Sequence, residues 1–434
     1  MKRSLSPLFL LLCLAFPVHA EEAGAPKEQA YIAVGQAKTR KTLIALPGFS
    51  GASGLKVAGD KTLETIRADL LYMDSFQILD PKTYLDSGAP ISTWSSIQAE
   101  FVFKGEMKPT ENGLALEGLL YNVASGNAVL SKRYLSSLGD LKTLSHTVAN
   151  DIVKTVTGLP GIFLTKIAMV CDRTSKKELY VMDFDGGNVR ELTHHRSVIL
   201  TPAWSPDGTR IAYSLIAKNK KNVKNTNLYE FDFRTSRIKM LSDRIGINSG
   251  AHYHPDGKRI ALTMSFLGNP EIMAFDPDSK SVTRLTSSSG VDVDPNWSPD
   301  GKHVSFVSNR AGAPMVYRMN ADGSDVRRLT FAGSYNATPS WSPQNNKIGF
   351  AGWIDGRFDI FIMNPDGTNI ERLSKSQGNN EDPSFSPDGN FLVFSSNRAG
   401  QKNIYVMNID GTFVKRLTYG LGDCVSPRWS NPPR

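Results

Sequence analysis

Five short segments, GINSGA, GVDVDP, GSYNATP, GNNEDP and GDCVSP, bring together Asn248, Asp292, Asp294, Tyr335, Asn336, Asn379, Glu381, Asp382 and Asp423. Carboxylates and amides in that number can hold a hard cation through oxygen, or grip a peptide by its backbone and basic groups. Each residue taken alone is also an ordinary solvated turn residue. Whether they act together depends on whether the fold carries segments about 44 residues apart to one place.

Other chemistry is poorly supplied. Gly48-Phe49-Ser50-Gly51-Ala52 approaches a nucleophile elbow but lacks the final glycine of G-x-S-x-G. MDFDGGN offers Asp183, Asp185 and Asn188 like the start of a calcium loop, yet His194 stands where the bidentate glutamate belongs. His194-His195 and His252-x-His254 find no third ligand at a convincing spacing, and no phosphate-binding glycine loop occurs.

A repeat must position the polar segments. An aromatic followed by a turn of the type WSPDG falls at Trp204, Tyr253, Trp297, Trp341, Phe385 and Trp429, in steps of 49, 44, 44, 44 and 44 residues. A second motif of the type DGTNIERLS keeps step through Leu192, Leu241, Leu285, Leu329, Leu373 and Leu417. A period near 44 holding several short β-runs reads as a six-bladed β-propeller of four-stranded blades. Within the turn, proline sets φ, aspartate bonds the local backbone and glycine accepts positive φ, so the motif recurs because the blade recurs. The aromatic before it is expected to pack between blades. The first unit, from TKIAMVCD, lacks an innermost strand, and SPRWS near the end of the chain matches it. This predicts that the C-terminal strand closes the first blade and leaves no free edge. The loops entering the innermost strands then meet around the mouth of a central channel.

Residues 21–160 carry no such repeat and read as a small α/β domain ahead of the propeller at 161–434. KTLIALPGF and SFQILD read as strands, and three β-runs follow between Glu100 and Leu135 with ENG and SGN as hairpin turns. Leu63, Ile66 and Leu70 share one helical face, as do Leu141, Leu144, Val148 and Ile152 in a helix capped by Asp140. The stretch EEAGAPKEQA is expected to be a mobile arm.

Lys2 and Arg3, an apolar run from Leu8 to Phe16 and VHA ending at Ala20 make a secretory signal peptide cleaved after Ala20. Its removal lowers the formal charge from +8 to +6. Lysines and arginines are scattered through turns, which does not suit nucleic-acid binding. Export places Cys171 and Cys424 in an oxidising compartment. By the register of the second blade, where Trp204 faces about Ile211, Cys171 falls beside residue 425. A disulfide and a pair of buried thiols both remain open.

The leader, the small α/β domain and six WSPDG…IAF…N.DG…RLT blades together resemble the TolB family of the Tol–Pal envelope system. The resemblance implies a non-enzymatic, monomeric periplasmic protein, peripheral to the membrane. It implies that the mouth residues bind the lipoprotein Pal, that some bacteriocins use the same surface, and that the N-terminal region engages TolA. Outer-membrane integrity and constriction at division are the implied roles. It implies no resident cofactor, with calcium in the propeller channel as an option. HYHPDG and WSPQNN depart from the usual turn, and the arm lacks the β-rich TolA epitope of enterobacterial members. Rival readings are a periplasmic propeller that senses a small peptide or sugar, and a hydrolase with a channel active site.

Overall fold

In a computed structural model the described residues are 40–86, 88–218, 222–344, 346–375 and 377–433. The expected signal peptide and the stretch EEAGAPKEQA, expected to be an arm, lie outside them. The propeller portion consists of six four-stranded antiparallel sheets. Their innermost strands are Cys424–Trp429 (blade 1), Val198–Trp204 (blade 2), Asn248–Tyr253 (blade 3), Asp292–Trp297 (blade 4), Asn336–Trp341 (blade 5) and Asn380–Phe385 (blade 6).

The WSPDG turn works as its residue types require. In blade 2, Gly208 takes φ +69° and its N–H donates to the Ser205 carbonyl at 2.9 Å, while the Ser205 hydroxyl lies 2.6 Å from Asp207 Oδ1. HYHPDG keeps this geometry with an imidazole in place of the serine hydroxyl: His254 Nδ1 accepts from the Asp256 N–H at 3.2 Å. The aromatic before each turn is wedged between sheets. Trp297 packs with Ala261 and Ile272 of blade 3 as well as Val304 of its own blade, and Trp204 Nε1 donates to the Arg428 carbonyl of blade 1 at 3.0 Å.

The expected closure with no free edge needs correction. No sheet is closed by hydrogen bonds: all six are open, and each keeps an outermost edge that is as short as two residues in blades 1, 4 and 5. Cys424–Trp429 pairs antiparallel with Lys166–Cys171 as one edge of the open sheet of blade 1, and no ladder continues from it to a neighbouring blade. Strands of one sheet lie about 4.8 Å apart, whereas packed sheets face each other across side chains, so between blades only isolated backbone contacts form, such as the Lys177–Val198 bridge from blade 1 to blade 2.

A register shift between Val425 and Arg428 places Cys171 opposite Cys424, not residue 425. The two cysteines form a disulfide spanning 253 residues of sequence.

The N-terminal portion is a sheet in which Thr42–Ala45 runs parallel to Phe76–Ile78 and to Phe101–Thr110, followed by Gly113–Asn122 and Ala128–Ser136. Helices α1 (Lys56–Tyr72) and α2 (Leu141–Thr157) turn Leu63, Ile66, Leu70, Leu144, Val148 and Ile152 inward. Asp140 stands at the start of α2 but makes no side-chain cap, because a short 3-10 turn, Leu138–Asp140, leads directly into the helix. These side chains share one core with Ile167, Met169, Tyr180 and Phe184 of blade 1 and Val393 of blade 6. Tyr72 of α1 meets Phe184 and Phe413 at 5.5 and 5.6 Å. Both lie by the turns joining third and fourth strands, on the face opposite the mouth.

Two predictions follow from the disulfide. Denatured, unreduced mature protein should show no reactive thiol in a thiol-counting assay, and two would contradict the pairing. Replacing both cysteines by serine should lower unfolding stability by about 2–4 kcal/mol in denaturant titration, because the long loop of the unfolded chain is released.

Candidate functional site: the propeller mouth

All six innermost strands carry a register shift at the same place. At each shift one residue takes positive φ: Thr201, Gly250, Asp294, Thr338, Asp382 and Ser426, with φ between +41° and +65°. Five of the six are not glycine, and such conformations cost about 1–2 kcal/mol each. The bulge turns these side chains across the channel toward the neighbouring blade. Thr201 Oγ1 accepts from the Gly250 N–H at 3.2 Å, and Asp382 Oδ2 accepts from the Ser426 N–H at 3.2 Å.

The nine mouth residues divide into three groups. Asn248, Asp292 and Asn336 are buried inside their blades. Asn248 Nδ2 donates to the carbonyls of Arg244 and Thr226 at 2.7 and 2.9 Å, and Asp292 accepts from Arg310 Nη2 at 2.8 Å. Asn336 Nδ2 donates to the Ala332 carbonyl at 2.9 Å. Their work is to tie the loop to the blade. Asn379 and Asp423 lie one repeat apart and do the same job in successive blades, Asn379 Oδ1 accepting from the Phe358 N–H at 3.0 Å and Asp423 Oδ1 from the Lys402 N–H at 2.8 Å. Asp294, Tyr335, Glu381 and Asp382 come together in a cavity of 620 Å³ with Thr338, Trp353 and Phe358. Glu381 is ion-paired with Lys402.

Trp353, Phe358 and Thr338 escape a reading of the strand-entry loops alone, because the two aromatics belong to the hairpin between the second and third strands of blade 5. Their signal is WIDGRF, a two-residue turn flanked by aromatics where blades 4 and 6 have NRAG.

Burial pushes the Asp294 carboxyl up to about 6, with the Asp382 charge adding to the effect and Arg428 opposing it. Burial also raises Tyr335, with a smaller push from Asp294. At the far end of the channel His252 is held down to about 4, first by burial and then by Arg428.

Among the described residues no three His, Cys, Asp or Glu side chains converge as metal ligands, whereas calcium takes six to eight oxygens. The His194–His195 pair is also diverted: His194 lies 3.0 Å from Glu191 and His195 Nε2 lies 2.7 Å from the Tyr213 hydroxyl.

The TolB amino-terminal domain profile matches residues 30–129, and the TolB beta propeller domain profile matches residues 153–353 and 336–433. The chain belongs to the TolB family. It is 35% identical over 263 residues to the Tol-Pal system protein TolB of Anaeromyxobacter sp. (strain K), covering 59% of each chain. It is 30% identical over 271 residues to that of Desulfotalea psychrophila, covering 61% of this chain and 60% of that relative. The chain thus spans less than two thirds of the length of these curated relatives in the alignments. The crystal structure of TolB from Acinetobacter baumannii superposes with a TM-score of 0.78 at 28% identity, covering 91% of this chain and 98% of that one. Among the described residues no helix is long and apolar enough to cross a membrane.

Asp294 yields a prediction with a definite sign. Its folded pKa is raised, so the ionised carboxylate costs stability at neutral pH, and the cost disappears as pH falls from about 6 toward the ordinary aspartate value. Asp294→Asn should therefore be more stable than the parent above pH 6. A gain of about 1–2 kcal/mol is expected, less than the full shift implies because the side chain is only partly buried. The gain should vanish near pH 4 in urea titrations.

Proposed function

We propose that this TolB-family protein is a non-enzymatic, periplasmic interaction component of a Tol–Pal system. It docks the peptidoglycan-associated lipoprotein Pal at the propeller mouth and engages TolA through its N-terminal region. The observation that carries the reading is the mouth itself. Half-exposed Tyr335 and Trp353 and the carboxylates of Asp294 and Asp382 converge on a rigid ring, the arrangement of aromatic anchors and charge that protein interfaces use. The shared core places the N-terminal layer on the opposite face, which leaves the mouth open. Family membership and the Tol-Pal relatives support the assignment to that system. An export leader, residues 1–20, supports the periplasmic location.

The experiment is a surface-binding titration of the mature protein against purified Pal from the same organism. Tyr335→Ala and Trp353→Ala should each weaken binding about tenfold, or 1.4 kcal/mol, with unfolding curves nearly unchanged because both rings are half-exposed. Asp292 is not a fair test position, since its removal strands the Arg310 guanidinium inside blade 4. Unaltered affinity in both variants would remove the mouth from the interface.

A further inference from the structure

The cavity at the mouth is not symmetric about the channel. It is centred on blade 5, with Asp294 from blade 4 and Glu381 and Asp382 from blade 6, Glu381 being ion-paired with Lys402. The hairpin of blade 5, Ile348–Ile354 and Arg357–Met363, turns through Asp355 and Gly356, both at positive φ (+52° and +77°), as a two-residue hairpin requires. Trp353 and Phe358 face each other directly across it. Their rings meet edge to face at 4.9 Å, and Phe358 meets Tyr335 in the same manner at 5.6 Å. The hairpin is fixed from below. Arg372 binds Asp355 at 3.0 Å and also pairs with buried Asp359, while Asn379 holds the Phe358 N–H.

Trp353 and Tyr335 remain 36% and 41% exposed, so fixed aromatic surface is offered to whatever docks. Asp382 is partly satisfied by Ser426. Among the described residues the Asp294 carboxylate has no hydrogen-bond or ion-pair partner. Two carboxylates beside aromatic rings attract a cation through both charge and the ring quadrupole. The Trp353 and Phe358 walls supply no oxygen ligands for a hard metal ion, whereas a guanidinium or ammonium on an aliphatic stem suits apolar walls with acids at their edge. Without its leader the chain carries a formal charge of +6, which makes this acidic recess a local exception.

We propose that the cavity formed by Tyr335, Trp353, Phe358, Asp294 and Asp382 binds one cationic side chain, arginine or lysine, presented by the protein docked at the mouth. This rests on the mouth being the docking surface. A cation there supplies a direct ion-pair partner to Asp294, whose charge otherwise feels Asp382 and, opposing it, Arg428 without touching either. The raised Asp294 pKa gives the pH sense: occupancy holds above pH 6 and falls below it as the carboxyl takes up a proton.

The test follows the Trp353 indole N–H resonance, assigned by its loss in Trp353→Phe, while the mature protein is titrated with acetyl-arginine amide. A saturable shift is expected, with the neutral analogue acetyl-citrulline amide at least tenfold weaker and Asp294→Asn about fivefold weaker than the parent. Equal response to the two amides, or no saturation by about 50 mM arginine amide, the weak end of measurable binding, overturns the inference. Calcium chloride reproducing the arginine shifts also overturns it. The parallel titration with Pal separates the two readings. Pal binding lost in Tyr335→Ala while both amides act alike leaves the mouth interface standing and removes the cation pocket. Selective arginine binding without Pal binding does the reverse.

Discussion

The structure depends on side-chain packing between blades, because strand ladders stop at the edge of every sheet. Only isolated backbone hydrogen bonds, such as Asn336 N–H to the Pro314 carbonyl, cross between blades. Six open sheets are held in a ring by aromatics inserted between them, among them Trp297 and Trp341, both almost fully buried. Burying a large aromatic contributes on the order of 2–3 kcal/mol. That supply of binding energy is repeated around the ring, and it tolerates a strained element at each blade. The strain sits on the innermost strands, where five non-glycine residues adopt positive φ. A ladder free of bulges would aim those side chains along the sheet; the bulge aims them across the channel.

The two ends of the molecule are given different tasks by the same economy of burial. On one face, α1 and α2 merge with blades 1 and 6 into a single apolar core, and Lys142 of α2 reaches Asp185 of blade 1 at 3.0 Å. On the other face the loops stay solvated and carry polar groups. Some of these are consumed internally: Asp359 is spent on Arg372, Ser374 and Asn380, and Asp292 on Arg310. The groups left over, Asp294 and Asp382 with the Tyr335–Phe358–Trp353 cluster, lie together on one side of the channel. A symmetric scaffold therefore carries a lopsided site.

The loops that enter the innermost strands were legible as one cluster because a fixed period implies convergence. Their individual roles were not. Asn248, Asp292 and Asn336 have the composition of surface turn residues, yet each lies at the first position of its strand, where it points back into the blade. Asp294 and Asp382 lie two residues further on, at a bulge that alternation along a strand does not announce. Trp353 and Phe358 were missed for another reason. They belong to the return hairpin of blade 5, and which loops of a blade share a face is a matter of strand direction in space.

By itself the sequence determined the number of blades, the turn chemistry, the helices and the wedge residues, since each follows from local spacing and local conformational preference. It also brought Cys171 and Cys424 to within one residue of each other. Tertiary structure decided that last residue, through a bulge between Val425 and Arg428. It decided as well that the ring is sealed by packing with no closed sheet, and which acids face the channel. Those outcomes depend on how whole sheets stack and shift against one another, and stacking is a long-range balance of burial and strain that no short window of residues contains.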